Sequence, residues 1–292
     1  MKSNLKQRVV GVIVVRAGWA VQSIGFRRFL PVGRPEIAVE YLNRWGIDEI
    51  ILLDIDATLA GRKPDFEAVG RYARFGQVPL TVGGGISEVA DIERLIRAGA
   101  DKVALNWAAR SHPELIAAGA ERFGNQCLVV SLDAREVAPG RHEVFARGGR
   151  EPTGLTPAEA ARRACAAGAG EILINSIDRD GSGKGYDLEL VRSVLEVVDV
   201  PVVACGGVGE PRHLLAGLQL GVSGVAAANF FHFTEHSVIV AKRFLLQAGA
   251  KVRLDSYADY RGAAFAERGR AARRPDADLD HLRFDYIPEE VI

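Results

Sequence analysis

One glycine-rich pattern occurs twice in this chain. Val82-Gly83-Gly84-Gly85 closes one short apolar run, and Cys205-Gly206-Gly207-Val208 closes another about 120 residues later. Two further segments return with the same offset. Gly99-Ala100-Asp101-Lys102-Val103, leading to Asn106, is echoed by Gly221-Val222-Ser223-Gly224-Val225, leading to Asn229. Asp54-Ile55-Asp56 is echoed by Asp178-Arg179-Asp180. An offset of that size is half of a barrel built from eight strand–helix units. A duplicated half-barrel therefore explains the spacing, and two glycine-rich strand ends facing each other suit a substrate with a phosphate at each end.

The rest of the pattern agrees. Val9 to Val15 is a continuous apolar run, as expected of a strand covered on both faces. Ile50–Leu53, Pro79–Val82, Lys102–Leu105, Cys127–Leu132, Glu171–Ile174, Pro201–Ala204 and Gly224–Ala228 read as seven more strands, with helical periodicity between them. Arg16 to Arg34 reads as a polar loop, Ser87 as an N-cap, and Ala134 to Pro152 as an excursion holding a small hairpin. A chain of 292 residues has room for one large barrel or two ordinary domains. Unbroken strand–helix alternation selects one α/β domain, a (β/α)8 TIM barrel over residues 1–254. Residues 255–292 turn to mixed charge, with Arg268, Arg270, Arg273 and Arg274 ahead of Asp276, Asp278, Asp280 and Asp285. They read as an extension outside the barrel.

Net charge is zero, which disfavours a general nucleic-acid or membrane-surface binder. The first apolar run breaks at Arg16, too early to span a bilayer. The three cysteines, Cys127, Cys165 and Cys205, have no metal-type spacing, and their odd number points to reduced thiols and a cytoplasmic protein; no metal centre or other cofactor is expected. The densest functional signal is Asn175 to Tyr186, NSIDRDGSGKGY, a strand end with two acids and three glycines. Chemistry in parallel α/β folds gathers at such ends. Asp178 and Asp180 are candidates for substrate contact, while the alternative is a turn that caps its helix with Asp187.

Thr81–Ile86 (TVGGGI), Gly99–Val103 (GADKV) and Gly168–Gly181 (GAGEILINSIDRDG) carry a resemblance to the HisF family, the cyclase subunit of imidazole glycerol phosphate synthase. The resemblance runs from about Arg8 to Leu254. It implies a barrel whose N-terminal face docks a glutaminase, whose interior passes ammonia, and whose C-terminal face holds a phosphorylated small molecule between two catalytic aspartates. Arg8, Glu49, Lys102 and Glu171 match the family's charged gate at the ammonia entrance, and Asp101 matches a residue of the glutaminase interface. Asp133 matches one catalytic aspartate. The other falls at Val14, which cannot move a proton, and a first-loop lysine falls at Gln22.

The phosphate sites implied by the resemblance are Gly84, Gly85 and Asn106 on one side, and Asp180, Gly181, Gly206, Gly207 and Asn229 on the other. Trp107, Cys205 and Asn229 stand where the family has hydroxyl residues. An intact gate with an altered reaction chamber, together with the segment Asp54 to Phe66, is similar to a HisF-like branch linked to surface-polysaccharide gene sets. That similarity implies delivery of ammonia from a glutaminase to a sugar amidotransferase. The alternatives are a histidine-pathway cyclase with altered residues and a non-catalytic scaffold.

Overall fold

The computed structural model describes residues 6–272 apart from 107, 108, 110, 235, 256, 257 and 259. Eight parallel strands close on themselves: β1 (Arg8–Arg16), β4 (Glu49–Asp54), β5 (Leu80–Gly83), β6 (Lys102–Leu105), β7 (Leu128–Ala138), β10 (Glu171–Ser176), β11 (Val202–Cys205) and β12 (Gly224–Ala227). Pairing of β7 with β10 and of β12 with β1 completes the ring. The connecting helices are α1 (Pro35–Arg44), α2 (Phe66–Ala73), α3 (Val89–Arg97), α4 (Glu114–Phe123), α5 (Pro157–Ala166), α6 (Leu188–Leu195), α7 (Pro211–Leu220), α8 (Asn229–His232) and α9 (Ser237–Gln247). This is a (β/α)8 barrel.

Strand periodicity divides the apolar residues into two cores. Val9, Ile13, Ile50, Leu52, Val103, Val130, Ile172 and Val225 face the helices. Val10, Val12, Val14, Ile51, Ala104, Val129, Leu173, Val203 and Ala226 fill the barrel interior. Helix starts follow local chemistry. Thr156 and Glu159 form a capping box at α5, and Asp65 and Asp187 accept from the backbone N–H of Ala68 and Leu190. At α3 the cap is Glu88 rather than Ser87, because buried Asp91 turns back to accept from both Ser87 N and Glu88 N. Asp187 is thus a helix cap, as the plainer reading of its loop has it.

The segment from Arg16 to Arg34 is not a loop. It forms the hairpin β2 (Trp19–Ile24) and β3 (Arg28–Gly33), which continues the sheet antiparallel to β1. The two-residue turn from β1 into β2 places Ala17 and Gly18 at positive φ, and the three-residue turn between Ile24 and Arg28 does so for Gly25 and Phe26. Ala17 and Phe26 pay a local strain there, which the pairing and the burial of Ala20 and Val21 offset. Neither turn carries the Asn-Gly or Asp-Gly signature, so the sequence gives no warning of it. The excursion after β7 is a hairpin as expected, with β8 (Arg141–Ala146) and the short β9 (Glu151–Pro152).

The half-barrel echo has a physical counterpart. Gly84 (φ 111°) packs so close to the Asp54 carbonyl that a Cβ would collide with it. Gly207 (φ 104°) sits in the same way against the Gly185 carbonyl. Beyond α9, Tyr260 bonds His236 at 2.9 Å and Phe265 packs on Phe244. Arg268 reaches Glu210 at the start of α7, at 3.8 Å. Those parts of the extension lie along α7 and α9.

Candidate functional site at the two ends of the barrel

At the N-terminal end, the inward positions two residues before Val10, Ile51, Ala104 and Leu173 are Arg8, Glu49, Lys102 and Glu171. They close into one ring of alternating sign. Arg8 donates to both Glu49 and Glu171. Lys102 bridges the same two carboxylates, at 3.0 Å and 2.7 Å, and Thr81 adds a hydroxyl to Glu49 at 3.0 Å. Both glutamates are buried, whereas Arg8 and Lys102 keep partial exposure at the face. Burial alone would push Glu171 up, but bonding and charge from Arg8 and Lys102 outweigh it and hold the carboxyl below its ordinary value. Above the ring the interior is apolar as far as Val14 and Val203. Asp101 stands beside Lys102 and accepts from Leu80 N at 2.8 Å, so its carboxylate also orders the start of β5.

At the other end, the same inward phase carries Asn106, Ser131, Asp133, Asn175, Cys205 and Ala228 into a cavity of about 170 Å³. Val12, Val14, Phe29, Leu53 and Ile55 form its apolar walls. Asp133 is held by two carboxamides, Asn175 Nδ2 at 3.1 Å and Asn106 Nδ2 at 3.0 Å, and Asn106 also donates to Ser131 O. Burial raises Asp133 to about 7, against the bonds from both asparagines and with a push from the charge of Asp180. A carboxyl titrating there is poised for proton transfer at neutral pH. Cys205 is driven the other way from usefulness. Burial and the nearby aspartates raise its thiol to about 12, so it is no thiolate nucleophile.

The raised Asp133 has a measurable consequence. The carboxyl is neutral in both folded and unfolded protein below about pH 4, and between there and pH 7 the unfolded chain ionises first, so folding loses stability as pH rises. Asp133→Asn is expected to raise stability by about 2–4 kcal/mol at pH 8 and by little at pH 4, read from urea unfolding at the two pH values. An equal effect at both would show that Asp133 ionises freely.

Several groups near the glycine-rich strand ends meet other parts of the chain. Gly85 N–H donates to Thr58 Oγ1 at 3.1 Å. Asn229 accepts from Ser23 N at 3.2 Å and donates to Ser23 O at 2.7 Å. Asp180 Oδ2 accepts from Ser23 Oγ at 2.6 Å and Phe26 N at 3.2 Å, and a Cβ on Gly181 would lie 2.6 Å from Ser23 O. The β2–β3 hairpin is therefore clasped onto Asp180, Gly181 and Asn229. Gly206 and Gly207 stand behind that clasp, packed against Ser176 and Gly185. Asp178 turns outward, accepting from Glu136 N at 2.8 Å. Trp107 lies outside the described residues. Asp54 and Asp56, the acids nearest Val14, are occupied. Asp54 accepts from Asp56 N and Ala57 N, and Asp56 from Ala17 N.

A family model described as histidine biosynthesis protein matches residues 8–237, which takes in all eight barrel strands and both ends just described. The chain belongs to the HisA/HisF family of histidine biosynthesis proteins. In this HisA/HisF-type barrel, the sequence named the four ring residues and Asp133, gave Asn175 only as the start of the Asn175–Tyr186 stretch, and did not single out Arg16, Arg147 and Arg150 as cavity residues. Asn175 was legible as the inward position two after Leu173. The arginines were not, since Arg16, Arg147 and Arg150 reach the cavity only because loops fold over its mouth. Among the described residues no cluster of three His, Cys, Asp or Glu side chains could hold a metal ion. No helix among them is long and apolar enough to cross a membrane.

Proposed function

We propose that this chain is a HisF-like barrel that takes ammonia from a partner glutaminase at its N-terminal face and releases it at the C-terminal mouth. The acceptor under this reading is a nucleotide-activated sugar, amidated by a partner enzyme in surface-polysaccharide biosynthesis. The observation that carries it is the closed Arg8–Glu49–Lys102–Glu171 ring at the foot of an apolar interior. Neutral ammonia crosses apolar surroundings at small cost, while ammonium and other ions are held back by desolvation. Val14 supports the same reading, because it removes one partner of an acid–base pair without touching the conduit.

A second reading, an ammonia-dependent lyase/cyclase of histidine biosynthesis, is favoured by one observation: Asp133 titrates near 7 beside two ordered carboxamides. It requires a second proton carrier, and Asp54 and Asp56 are spent on their own loop.

Lys102→Ala tests the first reading. The barrel, its co-purified glutaminase and the acceptor enzyme are mixed, and amidation is compared with glutamine or free ammonium as the nitrogen source. Glutamine-driven amidation is expected to fall about tenfold, with ammonium-driven amidation nearly unchanged. Equal glutamine-driven rates in parent and variant would reduce the four charges to surface residues.

A further inference from the structure

We infer that the cavity between the barrel wall and α2 binds a two-ring molecule with a hydroxyl at one end and a single carboxylate or phosphate at the other. The inference goes beyond the conduit reading and does not rest on it. The cavity holds about 650 Å³, inside the ~300–1,000 Å³ range of small-molecule sites. At ~30 Å³ per water that is space for about twenty waters, more than a single ring needs. Asp133 does not line it, so it is distinct from the chamber on the barrel axis, and the two adjoin at Asp54, Asp56, Leu59, Gly84 and Arg150. Its walls follow from the sequence of α2. That helix turns Ala68 and Val69 toward the sheet, and such small side chains leave space against Val15, Leu52 and Val82.

The buried end of the cavity carries an unmet polar group. Tyr72 is only 6% exposed, yet its hydroxyl makes no hydrogen bond among the described residues. Burial raises the phenol, and the charges of Glu36, Asp65 and Asp54 add to that against Arg71. Buried tyrosine hydroxyls ordinarily find a partner, so a ligand hydroxyl supplies what the chain leaves out. Tyr72 and Asp65 both line the cavity, and at 1.5 Å per residue they stand about 10 Å apart along α2. Two fused rings with a polar group at each end span that length.

The mouth of the cavity carries a cation with no partner. Its acids are compensated: Asp54 pairs with Arg62 at 3.4 Å, Asp56 with Arg16 at 3.6 Å, and Asp65 caps α2 through Ala68 N at 2.9 Å. Arg150 is exposed, and its guanidinium makes no ion pair or hydrogen bond among the described residues. A planar guanidinium in that position is matched to a carboxylate or a phosphate. The ligand class follows from the three parts together: an anionic head on Arg150, an apolar body between α2 and the sheet, and a hydroxyl on Tyr72.

The test uses the purified full chain and calorimetry with three probes: 6-hydroxy-2-naphthoate, 2-naphthoate and 2-naphthol. The hydroxynaphthoate is expected to bind about 3- to 10-fold tighter than either probe that lacks one polar end. Tyr72→Phe should abolish its advantage over 2-naphthoate and leave 2-naphthoate itself unchanged. Melting should stay the same in that variant, because the deleted hydroxyl has no partner to lose. Arg150→Ala should weaken both acids by about tenfold and spare 2-naphthol. Asp133→Asn, in the adjoining chamber, should alter none of the three, which locates the ligand beside α2. Absence of binding by all three probes, equal binding by all three, indifference to Tyr72→Phe, or a loss with Asp133→Asn as large as with Tyr72→Phe would each overturn the inference. No partner enzyme enters the assay, so failure of the conduit reading would leave its result unchanged.

Discussion

Glu171→Ala is expected to destabilise the barrel by about 2–4 kcal/mol at pH 7. Glu171 is buried and, among the described residues, is one of two acids that hold Arg8 and Lys102, so its removal leaves two cations sharing Glu49. Breaking a buried pair typically costs about 3–5 kcal/mol, and the partial exposure of Arg8 and Lys102 lets water relieve some of it. The sign with pH is definite. Glu171 has its carboxyl held below the ordinary 4.5, so its contribution is complete above that value and disappears as pH falls through the lowered one. Urea unfolding should therefore show the gap between parent and Glu171→Ala narrowing in acid. A gap that persists unchanged at the lowest pH would assign the loss to packing and not to charge.

Supplied with ammonium and the histidine-pathway substrate, the unmodified chain is expected to turn over at least about 100-fold, and up to about 10,000-fold, below a barrel with both catalytic carboxylates. Val14 lines the chamber with Asp133, and no free acid on the neighbouring strand replaces what it lacks. Val14→Asp combined with Gln22→Lys should raise the trace rate at saturating substrate. The apparent KM should stay high, because the clasp of Ser23 on Asp180 and Asn229 is untouched. Steady-state assays of parent and double variant separate the two effects. A parent rate near 1 per second or more would refute the argument from the missing groups.

Much of this was written in the chain at short range. Apolar runs of strand length, helical periodicity between them and the repeated glycine pattern were enough for a barrel. Arg8, Glu49, Lys102 and Glu171 were matched as a set through the resemblance to the HisF family, and the strand period of two explains why the four share one inward face. The β2–β3 hairpin was not legible. Its turns use Ala17-Gly18 and Gly25-Phe26, and its register is fixed by Val14 pairing with Val21 and by burial of Ala20. The cap at α3 was misread by one residue because Asp91, a buried side chain three and four positions on, decides between Ser87 and Glu88.

What the sequence determined by itself is periodic or local: the strand–helix order, the glycines that must take a left-handed turn beneath a carbonyl, and the residue types at each strand end. Only the tertiary structure decided which of those groups remain available to a ligand. Asn229 and Asp180 both meet Ser23, a contact made across more than 150 positions of chain. Asp133 is an ordinary aspartate in sequence, and burial, against the lowering effect of the Asn106 and Asn175 bonds, is what carries it to about 7. Hydrogen bonds and desolvation depend on distance in space, which residue order does not encode for partners so far apart.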